Sequence, residues 1–277
     1  MADIYPQMVL DRPAFSDWLP LALPCAGWHV EPKLDGMWGQ LVCMGSAARL
    51  YSRHGRLKHQ ITLTKPTKTR HVLHGEWLAS SHWAHKQGLD KTLHLFDLTM
   101  RGGIDVCEAP AEDRRRMLLE TMDALGLSSM PAVRAVPRWP ASMGAALWQS
   151  LVMERGYEGL VCKKHGSAWG DGWARIKRVF SIDYVCLGAN PGRGRHAGNG
   201  ARSIRAGLYQ PNGTLQHVGN VSGLTDALRR ELHDNPSAYA GLPFEASGKG
   251  LFPSGALRHP NFIKWRPSYN PQLCVMP

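Results

Sequence analysis

The sequence has no CxxC pair and no spacing of cysteine and histidine that would hold zinc; its six cysteines stand singly. That excludes a zinc finger or ribbon. Cys43, Cys162 and Cys186 each follow a valine in an apolar run (LVCMG, LVCKK, YVCLG), so they read as buried strand positions carrying free thiols. Free thiols in a core point to a reducing compartment. No apolar run approaches the roughly 20 residues needed to span a bilayer, and no basic segment followed by an apolar one opens the chain. A soluble intracellular protein with no membrane partner is expected. No internal repeat is visible. Acidic residues are scarce: 22 Asp and Glu stand against 33 Lys and Arg, leaving a net charge of +11. A balance of that sign favours a polyanionic partner.

What the chain does have is length for one large or two moderate domains, at 277 residues. Its 29 glycines and 19 prolines predict many turns, hence many strands rather than a helical bundle. Positive charge is denser from Ser181 onward, where ten Lys and Arg face five Asp and Glu in 97 residues. The Pro-rich lead-in predicts a short helix around Phe15–Leu19. Trp28 to Arg53 reads as two strands turning at Gly45-Ser46. Further strands are expected at Val72–Leu78, Leu93–Leu98, Glu158–Lys163 and Ala174–Val179, and helices at Glu112–Leu125 and Ser142–Arg155. From about Ser181 short strands surround one helix at Thr225–His233, a pattern suited to a small OB-like barrel. Between Pro191 and Arg205 lie Arg193, Arg195, Arg202 and Arg205 with several glycines and no acid. A loop of that makeup can lie along phosphates.

The stretch Glu31-Pro32-Lys33-Leu34-Asp35-Gly36 organises the candidate chemistry. In an extended backbone residues two apart share a face, so Lys33 and Asp35 point one way while Leu34 anchors the other. Nucleotidyl transfer from a triphosphate needs a nucleophile, positive charge on the phosphates, carboxylates for a divalent metal, and a base platform. Lys33 is the candidate nucleophile. An amine attacks only when neutral, and desolvation or the nearby charge of Lys163, Lys177 or a metal would favour that form. Glu76 and Glu158 are strand-borne carboxylates suited to Mg²⁺ (or Mn²⁺). Phe96 could stack on a purine, and Arg53 could fork onto phosphate or ribose.

Taken in order, EPKLDG, YSRHG, LHGEW, LHLFDL, YEGLVCKK and WARIKR resemble the motif set of the covalent nucleotidyltransferases, the superfamily of ATP-dependent DNA ligases, RNA ligases and mRNA capping enzymes. DYVCLGAN, the segment 216–225 and LRHPNFIKWRP look like the OB domain of DNA ligases, in a short form similar to the minimal bacteriophage type. The resemblance implies an α+β fold: a nucleotidyltransferase domain of ATP-grasp-like antiparallel sheets with flanking helices over residues 1–180, then a small OB-fold β-barrel over 181–277. It implies an ATP-dependent DNA ligase, expected as a monomer in the cytoplasm (a host cell's, were the chain phage-encoded), that seals nicked double-stranded DNA. By resemblance Lys33 takes AMP from ATP, Glu31 helps read the adenine edge, and Asp35 helps at the nick. Arg53 meets the nucleotide or nick phosphate, Glu76 the ribose or metal, Phe96 the adenine, Glu158 the metal and Lys177 the α-phosphate. Arg258, Lys264 and Arg266 are cations that could assist pyrophosphate departure and meet DNA.

Three positions depart from the family pattern. Trp38 stands where an arginine is usual, Arg175 replaces the first lysine of its motif, and Arg266-Pro267 is followed by Ser268-Tyr269 rather than the usual acidic and basic pair. An RNA ligase or capping-type guanylyltransferase is the alternative within the same chemistry. A non-catalytic OB protein that binds strands by charge and stacking is the alternative outside it.

Overall fold

The computed structural model of the chain describes residues 16–18, 26–79 and 82–276. The chain divides into two compact units, Met1–Lys177 and Arg178–Pro277. The fold is mixed α/β and rich in sheet.

The first unit holds strands β1 (Ser16–Trp18), β2 (Trp28–Lys33), β3 (Met37–Ser52), β4 (Leu57–Leu78), β5 (Thr92–Arg101), β6 (Ile104–Asp105), β7 (Val133–Ala135), β8 (Trp139–Pro140), β9 (Gly159–Lys164) and β10 (Trp173–Lys177). Helices α1 (His82–Lys86), α2 (Ala111–Ala124) and α3 (Gly144–Leu147) flank them. One sheet runs β1-β10-β9-β2-β8 and a second β3-β4-β5-β6, with β7 joining β5 in parallel. In the first sheet the alternation of side chains decides everything. Val30, Leu160, Cys162, Ala174 and Ile176 enter one apolar core beneath α3 and the π-helical turn Trp148–Glu154. Their odd-numbered neighbours point to the opposite face. Leu41, Cys43, Leu73, Leu95 and Leu98 of the second sheet pack with Leu118 and Met122 of α2 in another core.

Several local expectations are corrected. Ser16–Trp18 is a strand paired parallel to β10, which satisfies that strand's open edge; Phe15 and Leu19 lie outside the described residues. Gly45-Ser46 is not a turn. β3 runs through it, bulging against β4 on either side of Gly45, and the true break between two strands is Leu34–Gly36. β4 starts fifteen residues before Val72. The segment expected as one helix over Ser142–Arg155 is instead a 3-10 turn (Ala141–Met143), then α3, then the π-helical turn, which buries Leu147, Leu151 and Val152. Apolar spacing alone does not separate these windings.

The second unit holds β11 (Phe180–Pro191), β12 (Ala201–Tyr209), β13 (Leu215–Val221), α4 (Asp226–Asp234), α5 (Pro236–Tyr239), β14 (Pro243–Gly248), β15 (Gly250–Leu251), β16 (Leu257–Arg258) and β17 (Asn261–Trp265). Its main sheet runs β13-β12-β11-β14-β17, all antiparallel. The two edges meet where Ser222 bridges Asn261, with Phe262 N–H donating to Ser222 O at 2.8 Å. Tyr184, Val185, Ile204, Leu208, Phe244 and Ala246 fill the interior. Thr225 caps α4 by accepting from Leu228 N–H at 3.2 Å. The arginine-rich stretch is only partly loop, because Ala201–Arg205 are already in β12.

Candidate active site

Strand register builds the site. Lys33 and Lys177 are both paired with Gly159, so the three lie side by side across β2, β9 and β10. One step along, Glu31 and Arg175 flank Val161; one further, His29 and Trp173 flank Lys163. These are the odd-numbered positions whose even neighbours fill the core, so one sheet face gathers them all. Gly159 is required there, because a Cβ at that position would lie 1.9 Å from the Ile176 carbonyl oxygen.

A cavity of about 330 Å³ opens on this face. Glu31, Lys33, Val161, Lys163 and Arg175 line it from the first sheet, with Trp173 beside them. Trp38, Glu76 and Phe96 line it from the second. Lys33 closes β2 at the rim, and its Nζ donates to Glu158 Oε2 at 2.5 Å. Gly36 N–H donates to Glu76 Oε1 at 3.0 Å, which ties the loop after Lys33 to the end of β4. A Cβ on Gly36 would sit 2.5 Å from the Trp77 carbonyl oxygen, so a larger residue would push that loop away.

Beneath the cavity lies a buried ion network. Lys163 Nζ is 2.9 Å from Glu31 Oε2 and 3.7 Å from Asp97 Oδ2, and donates to the Phe96 carbonyl at 3.0 Å. It also stands 4.0 Å from the centre of the Trp173 ring. Glu31 Oε1 accepts from Arg138 Nε at 2.8 Å. Asp97 accepts from Arg114 through Nε at 3.0 Å and Nη2 at 3.3 Å, and Arg114 is wholly buried. Three cations thus enclose two carboxylates, leaving one positive charge under the cavity. Burial alone would raise the Glu31 carboxyl, but Lys163 and Arg138 outweigh it and hold it at about 2. Burial lowers Lys163, partly offset by Glu31 and Asp97. Burial, with Lys163 and Arg114 nearby, depresses His74 to about 3, so its ring is neutral; it stacks on Trp38 and lies tilted against Trp169.

The predicted residues therefore fall into groups. Glu31, Lys33, Glu76, Phe96, Lys163 and Arg175 share the cavity wall. Glu158 and Lys177 adjoin Lys33 through the ion pair and the register, and Asp35 sits half-buried in the loop after it. Arg53 lies apart, exposed on the turn between β3 and β4, with its Nε 2.9 Å from His54 Nε2. In the second unit Arg193, Arg202, Arg205 and Arg258 are exposed, and Arg195 lies in the turn Gly194–His196. Lys264 is 3.5 Å from Glu245, and Arg266 forks onto both oxygens of Asp183 at 3.1 Å while covering Tyr269. Sequence reasoning missed Asp97, Arg114 and Arg138. A signal existed: Arg114 falls four residues before Leu118 and eight before Met122, on the buried stripe of α2.

No family model matches the chain. A solved structure of a Lig E DNA ligase, described as binding DNA with a minimal scaffold, superposes with a TM-score of 0.64 at 17% identity, covering 93% of this chain and all of that one. The chain shares its fold with DNA ligases. Among curated sequences it is 27% identical over 258 residues to a probable DNA ligase of Streptomyces griseus, covering 81% of this chain and 50% of the relative. It is 31% identical over 147 residues to a DNA ligase of Methanothrix thermoacetophila, covering 50% of this chain and 26% of that one. The chain thus spans half or less of the length of these curated relatives.

No described helix is long and apolar enough to cross a membrane. Among the described residues no cluster of three or more His, Cys, Asp or Glu forms a ready metal cage. Glu76 and Glu158 are hard oxygen donors near the amine, the donor class that Mg²⁺ takes in small number while completing its shell with phosphate oxygens and water.

Proposed function

We propose that the chain is an ATP-dependent DNA ligase that seals a 5′-phosphate to a 3′-hydroxyl at a nick. The observation that carries this reading is Lys33: an amine at the rim of an aromatic-walled cavity, hydrogen-bonded to one carboxylate and flanked across the sheet by a second lysine. The ligase names of the sequence relatives and the ligase fold support it.

In the first step Nζ of Lys33 attacks the α-phosphorus of ATP. A P–N bond forms, the α–β phosphoanhydride breaks, and pyrophosphate leaves. Glu158 Oε2 is within reach of the proton that Nζ sheds. Phe96 offers its face to the adenine, with Val161 also lining the cavity, and Lys177, Arg175 and the net charge of the buried network meet the phosphates. A divalent metal held by Glu76 and Glu158 would neutralise developing phosphate charge. A 5′-phosphate oxygen at the nick then attacks the AMP phosphorus and the P–N bond breaks, Lys33 leaving as a protonated amine. Asp35, in the loop beyond Lys33, acts at the nick. Finally the 3′-hydroxyl attacks the 5′-phosphate, a phosphodiester forms and AMP departs.

In this reading residues 1–180 are the nucleotidyltransferase domain. Residues 181–277 are an OB barrel, supported by five antiparallel strands whose edges join at Ser222 and Asn261. Its exposed arginines supply phosphate contacts. Incubation with α-labelled ATP and Mg²⁺ tests the reading. An acid-labile label on the wild type, absent from Lys33→Ala and outcompeted by ATP rather than GTP, is expected. A label preferring GTP would instead indicate a guanylyltransferase, and retained DNA affinity with no label would indicate a binding protein.

A further inference from the structure

Between Gly36 and Gly75 the chain runs 40 residues without an acidic side chain while carrying seven Lys and Arg. At the chain's average of 22 acids in 277 residues, about three would fall there. This stretch is almost wholly β3, β4 and the turn joining them. The inner half of the pair is buried against the two cores, but from Met44 to Arg70 most side chains are exposed.

The cations on this outer ribbon have different duties. Lys65 is committed to the fold, its Nζ 3.2 Å from the Asp123 carbonyl at the end of α2. Arg49 bonds Gln60 across the ribbon. Arg56, Lys58 and Lys68 are exposed, and none is ion-paired among the described residues. Arg70 is half-buried, and its Nε is enclosed with no hydrogen-bond partner among the described residues.

Alternation along β4 places Glu76, His74, Val72, Arg70 and Lys68 on one side of the strand. Glu76 is at the cavity. The same side therefore leads outward from the catalytic pocket toward Arg70 and Lys68, which lie in the irregular step of β4 between the pairs Cys43–His71 and Gly45–Thr67. Beyond the bulge, Gln60 pairs with Arg49 across the ribbon, and Lys58 is the extra residue of a further irregularity between the pairs Leu50–His59 and Tyr51–Leu57. Cations two residues apart on a strand are spaced about 6.8 Å.

We propose that this outer ribbon is a contact surface for the sugar-phosphate backbone of duplex DNA, carrying the strand toward the cavity. It deepens the ligase reading and rests on it for the choice of DNA. The ribbon makes its contacts through charge and is indifferent to sequence.

The test compares Lys58→Ala/Lys68→Ala with a control, Lys86→Ala/Arg134→Ala, which removes two exposed cations of the same unit away from the ribbon. Affinity for nicked duplex DNA is measured from about 50 to 200 mM KCl, the range over which phosphate contacts dominate the salt slope. Two lost contacts lower the magnitude of the slope of log K against log salt by about 1.8. The ribbon variant is expected to show that drop and the control to keep the wild-type slope. Equal slopes in wild type and ribbon variant, or equal drops in both variants, would overturn the proposal. Formation of the Lys33 adduct from ATP, measured without DNA, is expected to be unchanged in both variants. Absence of that adduct from the wild type sinks the ligase reading alone, whereas an unaltered salt slope sinks the ribbon alone.

Discussion

Replacing Asp97 by Asn isolates the buried ion network from the reacting groups. The Asp97 carboxylate takes two hydrogen bonds from the wholly buried Arg114, one from its neighbour Leu98 N–H at 2.9 Å, and faces Lys163 at 3.7 Å. Asparagine preserves the shape and one acceptor oxygen but removes the charge. Arg114 then keeps that one oxygen and the carbonyls of Ala109 and Ser167 but no counter-charge, and Lys163 keeps Glu31 and the Phe96 carbonyl. Breaking one partner of a buried pair costs about 3–5 kcal/mol, because the other charge stays desolvated. That is a large share of the roughly 5–15 kcal/mol that holds a domain folded. At about 2–4 °C per kcal/mol for a unit of this size, the melting temperature falls roughly 6–20 °C. Urea unfolding followed by tryptophan fluorescence is a suitable assay, since Trp173 and Trp38 line the cavity beside the network. Asp97→Asn/Arg114→Met, which also removes the stranded cation, is expected to regain part of the loss. A loss below about 1 kcal/mol for Asp97→Asn would refute the reasoning.

Other outcomes follow from the same geometry. Burial depresses His29 and His74 to about 3 and His94 to about 4, with Arg138, Lys163 and Arg134 the leading charges respectively. All three are neutral when folded and titrate near 6.5 when unfolded, so the stability they contribute is present above pH 6.5 and is lost as pH falls toward 3. Three such groups bring the slope to roughly 4 kcal/mol per pH unit at most. Urea midpoints from pH 7 to pH 5 should fall, and His74→Gln should flatten the fall by about one proton's worth; a flat profile in the wild type contradicts this. Glu31 adds its own loss below pH 4.5, toward 2. Phe96→Ala removes the stacking face and should raise the KM for ATP in adduct formation about 2- to 10-fold, from 0.5–1.5 kcal/mol of aromatic stacking; an unchanged KM would remove Phe96 from the base platform.

How much of this was readable beforehand depends on the physics in question. The cavity wall was legible because a period-two pattern fixes sides. Period two puts Lys33 and Glu31 on one side of β2, and Lys177 and Arg175 on one side of β10; that the two pairs share a face comes from their pairing with β9. The strand around Gly45 was misread because glycine with serine signals a turn as readily as a bulge, and only pairing with β4 decides between them. Ser16–Trp18 became a strand through a partner more than 150 residues away, which no local window contains. Arg114 was hidden for a different reason: a charged residue on a helix usually reads as solvent-facing, and here a carboxylate from another element makes its burial tolerable. Asp97, set within the apolar run LHLFDL, was the sign of such a partner.

The most direct measurement is peptide mapping by mass spectrometry of protein treated with ATP and Mg²⁺ and kept at neutral or alkaline pH. A single AMP on the peptide containing Lys33, released when nicked DNA with a 5′-phosphate is added, is the predicted result. AMP on another side chain, or an adduct that nicked DNA leaves untouched, would contradict the account.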